Sequence, residues 1–298
     1  MAGPLVSIVT TSYNQEQYLE ETLRSVLDQD YPRVEYLVID DGSTDGSAEI
    51  IHRYADSLAW WCVQENRGQP AAGNAAAAHA TGDVIAFVNS DDTLLQGAIG
   101  RVAAEFERDP ELALVYGDVW LTDERSERVQ YHASADWDAE WMATEVHTVQ
   151  QPSSFWARWA WERAGPMNER SWALFDVELG LRAVAFGRAV HVEEALATFR
   201  LHPASKTMSA EGHLRMAEEC LRFAHEFYES PELPPPLRPY ARHGRAALHR
   251  RAALRYLAAG DRRRARREFL RALALAPRGA SRKQLRRLLP TLFPRGRG

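Results

Sequence analysis

Two acidic clusters hold most of the chemistry this chain could perform. They are Asp40-Asp41-Gly42-Ser43-Thr44-Asp45 and Asn89-Ser90-Asp91-Asp92. Each follows a short apolar run, Tyr36-Leu37-Val38-Ile39 and Val84-Ile85-Ala86-Phe87-Val88. Carboxylates at neighbouring strand ends repel one another unless a cation lies between them. Carboxylate and amide oxygens, with little nitrogen or sulfur, suit Mg2+ or Mn2+. An ion held by few protein ligands keeps open positions, which nucleotide phosphates usually fill. The plainer reading makes Asp40, Asp41, Asp91 and Asp92 helix caps and turn formers. It accounts well for one cluster, and less well for two that each end a buried strand.

The first apolar run, Leu5-Val6-Ser7-Ile8-Val9-Thr10, leads into Thr11-Ser12-Tyr13-Asn14-Gln15. A dinucleotide fold needs glycines there so that backbone can approach a pyrophosphate, and this turn has none. A P-loop lysine motif is also absent. What the turn offers instead is an aromatic ring and small hydroxyls, suited to stacking on a base and bonding its edge.

These clusters need elements to position them. The strand-like runs at 5–10, 36–39, 58–63 and 84–88 alternate with helical stretches carrying Leu19, Leu23 and Val26, then Ile50 and Ile51, then the alanines of 71–80. Strand and helix in alternation imply a parallel sheet covered on both faces. Ligands of such sheets bind beyond the carboxyl ends of the strands, where both acidic clusters fall.

Composition fits a globular protein, with 45% apolar and 26% charged residues over 298 positions. That balance excludes wholesale disorder, and two distant cysteines, Cys62 and Cys220, exclude a zinc knuckle or CxxC centre. No run approaches a membrane span. The expected location is the cytoplasm. The charge is divided unevenly: residues 237–298 hold 19 Lys+Arg against 2 Asp+Glu, and the remainder is net acidic. Five prolines between Pro231 and Pro239 read as a stiff linker. The expected domains are therefore 1–208, a helix and proline-rich linker at 209–236, and a basic helical region at 237–298.

The runs Val6–Asn14, Leu37–Asp45, Asn66-Arg67-Gly68 and Ala80–Asp92, in this order, resemble the family-2 inverting glycosyltransferases. The resemblance covers residues 4–205. It implies the GT-A nucleotide-sugar fold, an α/β sheet flanked by helices, with a small all-helical region following. It also implies roles. Thr11, Tyr13 and Asp41, with Asp40 beside them, match positions that hold the base; Ser90 and Asp91 match the site that meets ribose and metal, with Asp92 next. Asn74 and Asn89 fall in the same nucleotide-sugar motifs. Asn89 stands where many members have aspartate, and Gly73 where many have a basic residue, a role Arg67 could take over. Gln151–Trp156 resembles the acceptor-side strand. Asp176, in Phe175–Arg182, matches the carboxylate that acts as catalytic base, which the chemistry requires because the acceptor hydroxyl must lose a proton. Asp176 also reads as a helix N-cap. Phe199–Ser205 matches an Arg-x-His segment in which Arg200 would contact the diphosphate and His202 the metal.

The implied partners are a nucleotide-diphosphate sugar, UDP-linked foremost, and a hydroxyl acceptor on a glycan or lipid carrier. Residues 246–259 read as a helix ended by Gly260, and the pattern from Ala253 to Pro277 resembles one tetratricopeptide hairpin, which cannot bury its apolar face alone. A last short helix is expected at 281–289. The arginine-rich region lacks a nucleic-acid reader motif, which favours an anionic membrane or protein partner, or neutralisation of the acidic remainder. Two other functions stay open: a sugar nucleotidyltransferase, which needs a Gly- and Arg-rich first turn absent here, and a non-catalytic scaffold with a degenerate pocket.

Overall fold

The computed structural model describes residues 3–146, 149–202, 210–279 and 282–292. Its elements run β1 (Val6–Ser12), α1 (Glu16–Leu27), β2 (Val34–Asp40), α2 (Ser47–Arg53), β3 (Trp60–Val63), α3 (Gln69–Ala77), β4 (Val84–Phe87), β5 (Thr93–Leu94), α4 (Ala98–Arg108), β6 (Leu112–Thr122) and β7 (Arg128–His132). They continue with α5 (Ala139–Glu145), β8 (Ser154–Ala157), α6 (Arg158–Ala164), α7 (Phe175–Val184), β9 (Arg188–Arg200), α8 (Ala210–Glu226), α9 (Ala241–Ala258), α10 (Arg262–Leu275) and α11 (Arg282–Leu292).

The strands form one mixed sheet in the order β3-β2-β1-β4-β8-β6-β9-β5, with β7 paired to β6. The first four strands are mutually parallel, as their alternation with helices implies. β8 then enters antiparallel between β4 and β6. Ile8, Val9, Leu37, Val38, Ile39 and Ala86 are fully buried in this sheet. α1 covers it with Leu19, Leu23 and Val26 on one helical face. α3 packs on β1 and β2, and its small residues Ala71, Ala72 and Ala76 allow close approach.

The chain divides into two compact units. The first holds Met1–Trp137, Thr148–Arg170 and Arg182–His202, which includes the sheet. The second gathers Asp138–His147, Ser171–Leu181 and Pro203–Gly298. Two internal segments that the sequence reading left with the catalytic region thus belong to the helical unit. The expected boundary at 208/209 lies outside the described residues.

Within the helical unit the tetratricopeptide-like face closes as its pattern demands. Ala253, Phe269 and Leu288 form a buried cluster, with Leu254, Leu257, Leu273 and Leu285 packed on it. Gly260 (φ +83°) ends α9, and Asp261 caps α10 by accepting the Arg264 N–H. α9 packs against α5, where Arg250 donates to both Glu145 oxygens at 3.0 Å. The proline stretch departs from expectation. Pro235–Tyr240 is a short 3-10 helix, and Leu233 and Leu237 are buried, so the segment is a packed part of the unit. Proline's fixed φ suits a 3-10 turn as well as an extended linker, and the leucines decide between them. α9 begins at Ala241, earlier than the sequence pattern suggests, and α11 runs to Leu292 through Pro290. Ser281, expected to open that last helix, lies outside the described residues.

Candidate active site

The carboxyl ends of β1 and β2 are tied together by side-chain to backbone bonds. Asn14, in the left-handed region at φ +52°, donates its N–H to Ser43 Oγ at 2.9 Å and accepts the Thr44 N–H at 2.8 Å. This leaves Tyr13 48% exposed, with Thr11 half-buried behind it. Asp40 is fully buried and spends both oxygens on Ser43, accepting its N–H at 2.7 Å and its hydroxyl at 2.6 Å. Asp41, also buried, accepts Gln64 Nε2 at 2.7 Å, the Arg67 N–H at 2.9 Å and the Gly68 N–H at 2.8 Å. The plain reading holds to this extent: both aspartates fasten loops, and Asp41 pins the 64–68 loop to the end of β2.

At the end of β4 a second chain of bonds continues from that loop. Gln69 Nε2 donates to Asn89 Oδ1 at 2.7 Å, and Asn89 Nδ2 donates to Asp92 Oδ2 at 2.9 Å. Asp92 Oδ1 accepts the Arg200 N–H at 3.0 Å. An amide at position 89 accepts on one side and donates on the other; an aspartate there would set two carboxylates face to face. Asp92 is buried, and burial followed by the charge of Asp91 pushes its carboxyl well above the usual range. Ser90 is buried between Asn89 and Asp91. Asp91 Oδ2 lies 3.0 Å from His202 Nε2, with the His202 ring 5.3 Å from that of Tyr18.

Arg200 has a different surrounding from the one its motif implies. Its side chain is 1% exposed, with Nε on the Asp91 carbonyl at 2.8 Å, Nη1 on Ser126 Oγ at 2.9 Å and Nη2 on Glu21 Oε2 at 2.8 Å. The guanidinium also lies 4.4 Å from the Tyr18 ring centre. Four of its five N–H donors hold the Asp91 turn, the β6–β7 turn and α1 together. Residues 203–205 of the same motif lie outside the described residues. Asn74 likewise spends its amide on protein: Nδ2 donates to the Met167 carbonyl at 2.9 Å, and Oδ1 accepts the Met167 N–H at 2.8 Å. That anchors Met167, whose Cε would lie 3.2 Å from a Cβ at Gly73, so a side chain at position 73 would have to displace the end of Met167 by a few tenths of an ångström.

Asp176 belongs to the helical unit. It lies inside the first turn of α7 instead of capping it, and its Oδ1 accepts the Val177 N–H at 2.8 Å. Burial raises its carboxyl to about 6, against the opposing pull of that bond and of Arg251.

Among the described residues no group of three or more His, Cys, Asp or Glu could by itself hold a metal ion. Asp91 and His202 form a two-donor pair, which fits a Mg2+ or Mn2+ completed by phosphate oxygens and water. Asp92 is less suited, since both its oxygens are engaged.

This arrangement can be set beside known proteins. The family model "Glycosyl transferase family 2" matches residues 7–157, just over half of the chain. The chain belongs to that family. Among curated relatives, TuaG of Bacillus subtilis, named as a teichuronic acid biosynthesis glycosyltransferase, is 42% identical over 92 residues, 30% of this chain and 36% of TuaG. An uncharacterized glycosyltransferase of Nostoc is 29% identical over 217 residues, 69% of this chain and 67% of that protein. This chain therefore spans between about a third and two thirds of these relatives. Two solved structures share the fold: the mannosyltransferase PcManGT of Pyrobaculum calidifontis in complex with GDP-Man and Mn2+, and S. aureus TarS 1-349 in complex with UDP-GlcNAc. PcManGT has TM-score 0.63 at 20% identity, with 98% of this chain and 81% of that one covered. TarS has TM-score 0.60 at 17% identity, with 93% of each covered. The sheet and flanking helices are thus the GT-A architecture of this family-2 chain.

The sequence reading missed Glu21, Ser126, Gln69 and Met167. All four act through partners distant in the chain, and only Gln69 stands close to a recognised motif.

Proposed function

We propose that this family-2 chain is an inverting glycosyltransferase that moves a sugar from a nucleotide-diphosphate donor, UDP-linked foremost, to a hydroxyl acceptor in polysaccharide or glycoconjugate synthesis. One observation carries the reading. Asp91 and His202 converge to 3.0 Å at the end of β4, and a bonded loop links that end of the sheet to the turns bearing Tyr13 and Asp41. Tyr13 offers the base a ring, and Thr11 and Asp41 offer its edge polar atoms. Asp40, Asp92, Asn89 and Arg200 hold these groups in position. Ser90 presents Asp91 toward the ribose and diphosphate. Asp91 and His202 would hold Mg2+ or Mn2+, which when bound draws off charge accumulating on the leaving diphosphate. Asp176 takes the proton of the acceptor hydroxyl as that oxygen attacks the anomeric carbon from the face opposite the leaving group. A carboxyl near 6 suits this task, being ionised at neutral pH yet more basic than an exposed aspartate.

The complexes of PcManGT with GDP-Man and of TarS with UDP-GlcNAc support the donor class. The name of TuaG, and of a poly-beta-1,6-N-acetyl-D-glucosamine synthase of Staphylococcus aureus 30% identical over 123 residues, 41% of this chain and 30% of that protein, supports polymer synthesis. No helix among the described residues is long and apolar enough to cross a membrane. We place the work in the cytoplasm, with residues 237–298 contacting the inner membrane face. Hydrolysis of a panel of UDP- and GDP-sugars, with and without Mn2+, tests the reading. Metal-dependent release of nucleotide from one donor is expected, and Asp91→Asn should lose metal-dependent UDP binding in calorimetry. Absence of turnover and binding across the panel would favour a scaffold.

A further inference from the structure

The donor reading leaves an electrostatic gap. Asp40, Asp41 and Asp91 stand at the ends of β2 and β4, and a diphosphate adds negative charge to them. One divalent cation offsets only part of that, and the arginine expected to help, Arg200, is enclosed, with four of its five N–H donors already bonded to protein. A second cationic side chain is needed within reach of both the base end and the metal end of the site.

Arg67 is rooted where such a side chain must be. Its own N–H and that of Gly68 are bonded to Asp41, which fixes its backbone at the end of β2. Two residues on, Gln69 is bonded to Asn89 at the end of β4. Gly68, at φ +89°, has no atom within 4 Å of where a Cβ would lie, so the loop borders open space. The Arg67 side chain is 61% exposed and its guanidinium meets Glu169 Oε2 at 3.6 Å, the Glu169 side chain being 48% exposed. A pair so exposed contributes at most about 1 kcal/mol and exchanges readily for a better anion. Glu169 is itself held near by Asn74, whose Nδ2 reaches its Oε1 at 3.2 Å. A guanidinium binds phosphate oxygens through paired N–H donors, a stronger arrangement than this single long contact.

We propose that Arg67 is the side chain that binds the donor diphosphate, and that Glu169 competes with the diphosphate for it. The inference rests on the nucleotide-sugar reading of the site and adds to it a positioning cation and its counter-ion. Truncation at Arg67 leaves the backbone bonds to Asp41 intact, so loss of charge separates from loss of the loop.

The test is calorimetric titration of the full chain with UDP, UMP and uridine in the presence of Mn2+, for wild type, Arg67→Ala, Arg67→Lys and Glu169→Gln. Arg67→Ala should weaken UDP by about 10–100-fold, the value of one charge-assisted contact, while leaving uridine unchanged. Arg67→Lys should restore part of the loss. Glu169→Gln should tighten UDP by roughly 2–5-fold, since the competing pair is worth under about 1 kcal/mol. UDP binding unchanged in Arg67→Ala would overturn the proposal, as would an equal loss for uridine and UDP. A wild-type chain that binds neither UDP nor GDP would overturn the donor reading itself, a distinguishable result.

Discussion

A carboxyl held near 6 by burial, as Asp176 is, leaves two signatures at the scale of one residue. If it accepts the acceptor proton, kcat/KM falls as pH drops below about 6, and Asp176→Asn keeps donor affinity while transfer falls by about 10²–10⁴-fold. Transfer near the wild-type rate would move the base elsewhere, with Glu178 next. The second signature is in stability. Folding raises this pKa, so the stabilisation belongs to the protonated form: it is complete below the unfolded value near 4 and is lost as pH rises through about 6. Above that, the ionised group costs the fold up to about 3 kcal/mol, and Asp176→Asn should unfold at a higher temperature than wild type at pH 7.5 and at the same temperature at pH 4. Equal melting at both pH values would refute the shift. That Asp91 and His202 belong to one site was legible in the sequence, since both fall in motifs of the resemblance, and the fold brings them to 3.0 Å. The partners of Arg200 were not legible, because Glu21 and Ser126 lie 179 and 74 positions away.

At the scale of elements, the parallel strands β1 to β4 were legible because buried strands are short apolar runs and two of them, β2 and β4, run into acidic turns. The antiparallel entry of β8 was not, since Ser154–Ala157 reads as apolar in either direction. The proline stretch was misread for a similar reason: composition reports backbone stiffness, while burial of Leu233 and Leu237 depends on the helices they meet. The arginine-rich α10 shows how charge can stabilise an element from within. Glu268 is fully buried on it; burial would raise its carboxyl, but bonds from His249 at 2.9 Å and Arg267 at 2.7 Å, with the charge of Arg271, hold it at about 2. A depressed pKa stabilises the fold above the unfolded value near 4.3, and that stabilisation is lost as pH falls toward about 2. Glu268→Gln should therefore cost roughly 2–3 kcal/mol at pH 7, and less as pH approaches 2. Denaturant unfolding at several pH values checks this; a cost independent of pH would assign Glu268 a packing role alone.

For the whole molecule, the split between acidic and basic regions was legible from composition, while the makeup of the units was not. Asp138–His147 and Ser171–Leu181 join the helical unit through contacts such as Arg250 with Glu145, which no local pattern announces. The charge of the basic region can now be divided by exposure. Arg250 is buried against Glu145, whereas Arg262, Arg263, Arg266 and Arg267 of α10 are exposed beside Leu270, itself 47% exposed. Exposed arginines around an exposed leucine suit an anionic bilayer, where each basic residue at the surface adds about 1 kcal/mol and the leucine can enter the headgroup layer. A nucleic acid would use the arginines and gain nothing from the leucine. The full chain should therefore sediment with phosphatidylglycerol-containing liposomes at low salt, bind less at high salt, and ignore liposomes of neutral lipid. Replacing Arg263 and Arg266 with glutamate should remove most of the binding without disturbing the buried face of α10, because neither side chain contributes to that face. Liposome binding that survives both the double replacement and high salt would place the contact on another surface and leave these arginines to a protein partner.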